Sequence, residues 1–221
     1  MIPIPGRYAP DEYVRLASGS PSTGPLERRF DIADARDRVT VERALLGVPA
    51  GTPAVTLVPG GARNALRDNP LRRWPIDDYV RLAERLLASG CAVVLLGDRY
   101  DRWVNKHFEG LDVTNLIGTI SLREALTALR SSDVVISHDT GPMHLARLVR
   151  TPCVALFGPT MPETFVREGA TTVVIWGGQA LACRPCYDGR NFAACVDNRC
   201  MGSISVEQVL ECALRLLQRG R

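Results

Sequence analysis

Lysine is nearly absent from this sequence, long apolar runs are missing, and aromatic residues make up only 6% of it. Lys106 is the only lysine, and no dense cluster of arginines suggests a nucleic-acid-binding surface. No stretch approaches the roughly 18 apolar residues of a membrane helix. The first six residues, MIPIPG, lack the basic and apolar regions of a signal peptide. These absences predict a cytoplasmic protein that does not bind nucleic acid.

The residues that are present fit one α/β domain with an appendage, or two small domains, in a chain of 221 residues that is 46% hydrophobic. Apolar segments predict buried strands at 55–58, 92–97, 113–117, 133–137, 153–157 and 172–176. Helical patterns lie between most of them and again at 206–217, which predicts a Rossmann-like parallel sheet with helices on both faces. We assign residues 53–221 to this domain and residues 1–52 to a leader or interdomain segment, where helical spacing occurs at 8–17 and 35–46.

Glycine-rich turns follow four of the predicted strands, at 59–62, 97–98, 139–141 and 158–160. Parallel strands bring their carboxyl ends to one edge of a sheet, so we expect these turns to form one ligand site. Residues 139–144 (DTGPMH) also open a helix, whose first N–H groups and dipole favour an anion. From spacing alone, a capped helix without a ligand explains this run equally well.

Seven segments, taken in order, resemble glycosyltransferase family 9, the heptosyltransferases of lipopolysaccharide synthesis. They are VPGGARN at 58–64, LRRWP at 71–75, VLLG at 94–97, NLIG at 115–118, DTGPMHLA at 139–146, ALFGPT at 155–160 and CRPC at 183–186. None of these motifs is specific alone, and the ordered set carries the resemblance from about residue 54 to residue 217. It implies the C-terminal half of a GT-B glycosyltransferase, in which two Rossmann-like domains face each other across a cleft.

The resemblance implies that this half binds a nucleotide-sugar donor, typically ADP-heptose. A hydroxyl of a lipid A–core or related glycan would displace ADP, with inversion at the sugar carbon. Backbone amides and basic side chains, rather than a metal, would stabilise the leaving diphosphate. The family therefore implies no catalytic cofactor, and it implies peripheral contact with the cytoplasmic face of the inner membrane.

Thirteen residues are candidates for the donor site: Gly60, Gly61, Ala62, Arg63, Arg72, Asp98, Ile120, Asp139, Thr140, Gly141, Pro142, Met143 and His144. We expect the Thr140 hydroxyl and the amides near Gly141 and after Pro142 to hold the diphosphate. Asp139 would face the sugar hydroxyls. Arg72 stands where the family usually has a lysine, which makes it the first choice for the phosphate cation.

The remaining candidates surround these groups. Arg63 is the second choice for the cation, Asp98 is placed to accept ribose hydroxyls, and Ile120 resembles an adenine-packing position. Plainer alternatives stay open: His144 and Ile120 as packing residues, and the two arginines as solvated side chains or partners of Asp68. Trp74 is expected to pack in the core rather than to contact a ligand.

The cysteines divide into two groups. Cys91, Cys153 and Cys212 lie in apolar segments and are expected in the core. Cys183, Cys186, Cys195 and Cys200 form a tight cluster in the loop 183–200, which has little apolar content. A structural zinc, free thiols and disulfides all remain open for this cluster. Any metal would fix the loop and would not perform the chemistry.

A general base cannot be assigned from the sequence. In the family it belongs to the N-terminal domain, for which the residues before the first strand are too few. Asp11, Glu12 and Asp31 are acidic, but nothing places them near a donor. We therefore expect a missing N-terminal domain or a separate partner chain. The alternative function is a truncated nucleotide-sugar-binding module without independent transferase activity.

Overall fold

The computed structural model describes residue 43 and residues 46–63, 68–188 and 191–219. The pattern predicted as helical at 8–17 and most of that at 35–46 lie outside the described residues. So do Asp11, Glu12 and Asp31.

A six-stranded sheet forms the centre of the domain, and all of its strand pairs are parallel. The strands are β1 (Ala54–Val58), β2 (Ala92–Leu95), β3 (Val113–Asn115), β4 (Val134–His138), β5 (Cys153–Phe157) and β6 (Thr172–Trp176). Their order is β3-β2-β1-β4-β5-β6, so the chain reverses direction across the sheet between β1 and β4. Ligands of doubly wound sheets bind at such a reversal. The predicted α/β fold and its six strands are confirmed.

Helices connect the strands, as the apolar periodicity predicts. They are α1 (Ile76–Ala88), α2 (Leu122–Ser131), α3 (Gly141–Leu148), α4 (Pro162–Phe165), α5 (Arg199–Gly202) and α6 (Val206–Arg219), with 3-10 helices at Pro70–Arg72 and Arg99–His107. Ser121 and Glu124 form the capping box that their spacing predicts at the start of α2. Among the described residues, no helix has the length and apolar content needed to cross a membrane.

Successive residues of the strands pack against opposite faces of the sheet. Val55 and Leu57 belong to the core cluster that includes α1 and α6, whereas Ala54 and Val58 belong to clusters under α2 and α3. Trp74, 1% exposed, lies in the first cluster and donates from its indole Nε1 to the Ile204 carbonyl (3.0 Å). Its packing role is therefore confirmed.

The residues just before β1 are attached to the domain. Leu46 and Val48 are buried beside Ala54, and Arg43 forms an ion pair with Asp133 (2.8 Å). The division of the chain at residues 52 and 53 stays a prediction.

Candidate functional site

The turns after β1, β4 and β5 meet at the carboxyl edge of the sheet. The Ala62 amide donates to Thr140 Oγ1 (3.0 Å), and the Thr160 hydroxyl donates to Asp139 Oδ2 (3.0 Å). We call the region bounded by residues 59–63, 97–98, 139–144 and 158–160 the strand-end site. The structure thus brings together turns that are separated by up to about 100 residues in the sequence.

Arg72 and Asp139 form an ion pair inside this region. Arg72 Nη1 donates to Asp139 Oδ2 (3.1 Å) and to the Asp139 carbonyl (3.3 Å). The Asp139 side chain is 2% exposed and that of Arg72 is 22% exposed. Within the described part of the chain, Arg72 Nε has no hydrogen-bond partner. The guanidinium is therefore held by one nitrogen at the rim of the site, where its positive charge favours an anion.

The start of α3 opens onto the same region. Thr140 is the N-cap residue, but its hydroxyl bonds to Ala62 instead of capping α3. Pro142 has no N–H, and the Met143 amide already donates to the Thr140 carbonyl (3.2 Å). Neither residue therefore has a free amide for the expected diphosphate contact. The Met143 side chain is fully buried in the core. This leaves the Gly141 amide at the open end of the helix, where a Cβ would meet no atom within 4 Å.

The backbone amides of the turn after β1 are already occupied. Gly61 N–H donates to the carboxylate of Asp101 (2.7 Å), and Ala62 N–H donates to Thr140. Gly61 has a φ of 81°, and a Cβ there would lie 2.6 Å from Thr140 Oγ1. The turn therefore requires glycine for its own conformation and packing, and it offers neither of these amides to a diphosphate.

His144 stands at the edge of the site with an exposed side chain. Desolvation by neighbouring atoms lowers the pKa of the ring below its ordinary value, while the nearby Asp139 carboxylate opposes that effect. Arg147 and Arg72 add to the lowering. A neutral imidazole beside two arginines is suited to take up a proton when an anion arrives.

The other candidates line the side of the region formed by β2 and β3. Asp98 caps the 3-10 helix Arg99–His107 by accepting from the Tyr100 amide (2.6 Å) and is exposed. Arg63 is also exposed, and its guanidinium lies 4.7 Å from the centroid of the Tyr100 ring. Ile120 is half-buried against the core clusters under α2 and α3, which gives it a packing role whether or not a ligand binds.

Three residues at the site were not among the sequence candidates. Asp101 and Thr160 bind groups of the site turns, and Arg73 donates from Nε to the Gly61 carbonyl (3.0 Å). Arg73, rather than Arg63 or Arg72, forms the ion pair with Asp68 (2.6 Å). Thr160 lies in a turn that the glycine pattern had already marked. The spacing Asp98-x2-Asp101 is a helix-start signal that could have identified Asp101.

His138 lies directly beneath the site and is 0% exposed. Its Nδ1 is 3.1 Å from the Tyr79 hydroxyl. Burial lowers the pKa of His138 to about 3, and the charges of Arg73 and Arg72 act in the same direction. The folded protein therefore keeps this imidazole neutral.

This buried imidazole predicts acid sensitivity of the fold. Between about pH 6.5 and pH 3 the unfolded chain binds a proton at His138 that the folded chain does not, so the free energy of unfolding falls as pH falls. The loss approaches about 1.4 kcal/mol per pH unit in this window and vanishes above it. We expect His138→Gln to flatten that pH dependence in urea unfolding. His107→Gln is the matched control, and parallel profiles for wild type and His138→Gln would contradict the prediction.

The loop that carries the cysteine cluster docks on the site. The amides of Cys186 and Tyr187 both approach the Pro159 carbonyl (3.0 and 3.2 Å), and the Phe192 ring centroid lies 6.0 Å from the Arg72 guanidinium. Cys183 is exposed and Cys200 is buried.

The described residues contain no group of three or more His, Cys, Asp or Glu side chains arranged to hold a metal. The zinc site at Cys183, Cys186, Cys195 and Cys200 stays a prediction, which metal analysis of the purified chain tests directly. The three core cysteines, Cys91, Cys153 and Cys212, are buried as expected.

Known proteins share sequence with this chain. The family model described as "Glycosyltransferase family 9 (heptosyltransferase)" matches residues 22–196. Lipooligosaccharide heptosyltransferase 2 of Haemophilus influenzae is 33% identical over 138 residues, which cover 59% of this chain and 38% of that protein. The chain thus spans less than two fifths of the length of this relative.

Solved structures share the fold. The glycosyl transferase family 9 protein from Veillonella parvula superposes with a TM-score of 0.72 at 22% identity, covering 97% of this chain and 61% of that one. The ADP-heptose lps heptosyltransferase II of E. coli gives a TM-score of 0.65 at 23% identity, covering 85% of this chain and 53% of that one.

Proposed function

This chain belongs to glycosyltransferase family 9, and on that premise we propose that it transfers a heptose from ADP-heptose to a lipopolysaccharide-core or related glycan. The observation that carries the proposal is the strand-end site. There the partly exposed Arg72 and the open start of α3 converge around Asp139, at the reversal of strand order between β1 and β4. The reaction would occur at the cytoplasmic face of the inner membrane.

In this proposal the diphosphate of the donor lies between Arg72 and α3. The Arg72 guanidinium and the Gly141 amide donate to its oxygens, and the Thr140 hydroxyl, which accepts from Ala62, still has its proton to donate. These donors are fixed before the ligand arrives, so they stabilise the charge that develops as ADP leaves without costly reorganisation. The step needs no metal in this scheme.

For Asp139 we infer a role that differs from the sugar contact expected from the sequence. Its side chain is almost completely buried, and its Oδ2 already accepts from Arg72 and from Thr160. We therefore assign Asp139 to holding the Arg72 guanidinium in place, rather than to the sugar hydroxyls. The nucleoside would extend toward Asp98 and Ile120, on the side of β2 and β3.

Release of ADP tests the function. The purified chain is incubated with ADP-heptose and a heptose-accepting lipopolysaccharide core, with UDP-glucose as the control donor. Once the domain or partner chain that supplies the general base is added, we expect ADP release that depends on the acceptor and is abolished by removing it. Binding of ADP-heptose without acceptor-dependent release would support the nucleotide-sugar-binding module instead, and absence of ADP-heptose binding would contradict both.

Binding of ADP should also take up a proton at His144. The ring is neutral in the free protein because its pKa is lowered, and a neighbouring diphosphate favours the charged form. Relative to His144→Asn, in which the phosphate of ADP still titrates, the wild-type affinity for ADP should therefore rise as pH falls from 7.5 to 5.5, by up to about tenfold per unit. Calorimetry in two buffers with different ionisation enthalpies measures the uptake. Net uptake should be lower in His144→Asn than in His107→Asn; equal uptake in both variants would exclude His144.

A further inference from the structure

Asp101 is a buried carboxylate that joins two turns of the strand-end site. It is 4% exposed and lies in the 3-10 helix after β2. Its Oδ1 accepts from the Gly61 amide (2.7 Å), and its Oδ2 accepts from the Asp98 amide (3.0 Å). Each oxygen thus holds one turn: one beside the proposed diphosphate position and one beside the proposed nucleoside position.

Two glycines make room for this carboxylate. A Cβ at Gly60 would lie 2.4 Å from Asp101 Cγ, and a Cβ at Gly97 would lie 2.9 Å from Asp101 Oδ2. Neither glycine is in the left-handed region, so the backbone conformation does not require glycine at either position. The approach of Asp101 is therefore sufficient to explain glycine at both positions.

The turn after β1, which Asp101 holds at Gly61, also bonds to groups that we propose bind the diphosphate. The Gly61 carbonyl accepts from Arg73, and the next amide, that of Ala62, donates to Thr140 at the start of α3. A chain of hydrogen bonds with lengths of 2.7–3.0 Å therefore runs from Asp98 through Asp101 to Thr140. Its members fix how far the β2 side of the site lies from α3.

We propose that Asp101 is a positioning residue that sets the spacing between the nucleoside side and the diphosphate side of the donor site. The inference rests on the proposed function, because it requires that one ligand spans both sides. It predicts that substitution of Asp101 lowers the affinity for a ligand that reaches both turns. The affinity for a ligand that occupies the α3 side alone should change little. A residue that only stabilised the fold would affect both ligands equally.

The test compares ADP with inorganic pyrophosphate as calorimetric ligands. Asp101→Asn retains the size of the side chain but turns one acceptor oxygen into a donor that faces an N–H group. We expect ADP affinity to fall about tenfold or more and pyrophosphate affinity to change less than about threefold. Asp112→Asn, at an exposed residue before β3, removes the same charge and should change neither.

Gly97→Ala provides a second route to the same effect. Its added methyl would push on Oδ2 of Asp101, so ADP affinity should again fall selectively. In the Asp101→Gly background, which lacks both that oxygen and the Cβ that lies 3.0 Å from the added methyl, the same change should add little. This pair of variants tests the proposal even where Asp101→Asn fails to fold.

Different outcomes would overturn the positioning role of Asp101 and the proposed function. Wild-type protein that binds ADP while Asp101→Asn and Gly97→Ala leave its affinity unchanged would overturn the positioning role alone. Equal losses for ADP and pyrophosphate would assign Asp101 to general stability and would also overturn it. Wild-type protein that binds neither ligand would overturn the proposed function, and the inference with it.

Discussion

Replacing Arg72 by glutamine should lower the affinity of the chain for ADP by about 10- to 100-fold. A charge-assisted hydrogen bond contributes about 1.5–3 kcal/mol, and the Arg72 guanidinium is the cation held at the rim of the strand-end site by Asp139. Glutamine retains a hydrogen-bond donor but loses the charge and the planar fork. Isothermal titration calorimetry with ADP at constant ionic strength measures the change.

The matched control is Arg215→Gln. Arg215 lies on α6, forms an ion pair with Glu211 one helical turn away, and has a side chain that is 57% exposed. Both substitutions remove one positive charge, so a purely long-range electrostatic effect would weaken ADP binding in both variants. A loss confined to Arg72→Gln identifies direct contact. Equal affinities in Arg72→Gln and wild type would remove Arg72 from the site.

Replacing Asp139 by alanine should lower the free energy of unfolding by about 3 kcal/mol. Breaking a buried ion pair leaves its partner uncompensated, and here the Thr160 hydroxyl also loses its acceptor. The 22% exposure of Arg72 places the expected loss at the lower end of the usual range for buried pairs. Urea unfolding, with the denaturant slope checked for constancy, measures the difference.

An exposed ion pair provides the comparison for Asp139. Asp197 lies 2.9 Å from Arg199, and both side chains are more than half exposed. Asp197→Ala should cost less than about 1 kcal/mol, because solvent screens such pairs. Asp139→Ala should also weaken ADP binding, since Arg72 loses its anchor. A destabilisation by Asp139→Ala no larger than that by Asp197→Ala would show that the Arg72–Asp139 pair is not held as the structure describes.

The sheet could be predicted because its strands carry the signal locally. β1, β4 and β5 are fully buried and mostly apolar, and the turns that follow them mark the edge where the candidate site forms. Arg72, Thr140 and Gly141 lie beside those turns, so the sequence also indicates part of the site.

The 3-10 helix Arg99–His107 could not be predicted in the same way. Only Asp101 and Val104 in it are buried, and so it lacks the apolar periodicity by which the other helices are recognised. The role of Asp101 could not be predicted from the sequence for a second reason. The residue it holds, Gly61, lies 40 positions earlier, and only the pairing of β1 with β2 brings the two turns together.

The roles of neighbouring residues depend on details that spacing does not determine. Arg72 and Arg73 are adjacent, yet Arg72 pairs with the buried Asp139 and Arg73 with the exposed Asp68. Arg72 is the last residue of the 3-10 helix Pro70–Arg72, whereas Arg73 follows it in an extended conformation. Met143 likewise falls inside a site motif, but the turn of α3 directs its side chain into the core.

A crystal structure of the chain with ADP would test most directly whether the strand-end site holds the donor. We predict density for the diphosphate between Arg72 and the start of α3, with its oxygens within about 3.2 Å of the guanidinium, the Gly141 amide and the Thr140 hydroxyl. The ribose should lie toward Asp98. ADP bound elsewhere, or a diphosphate at the strand-end site that contacts neither Arg72 nor α3, would contradict this assignment.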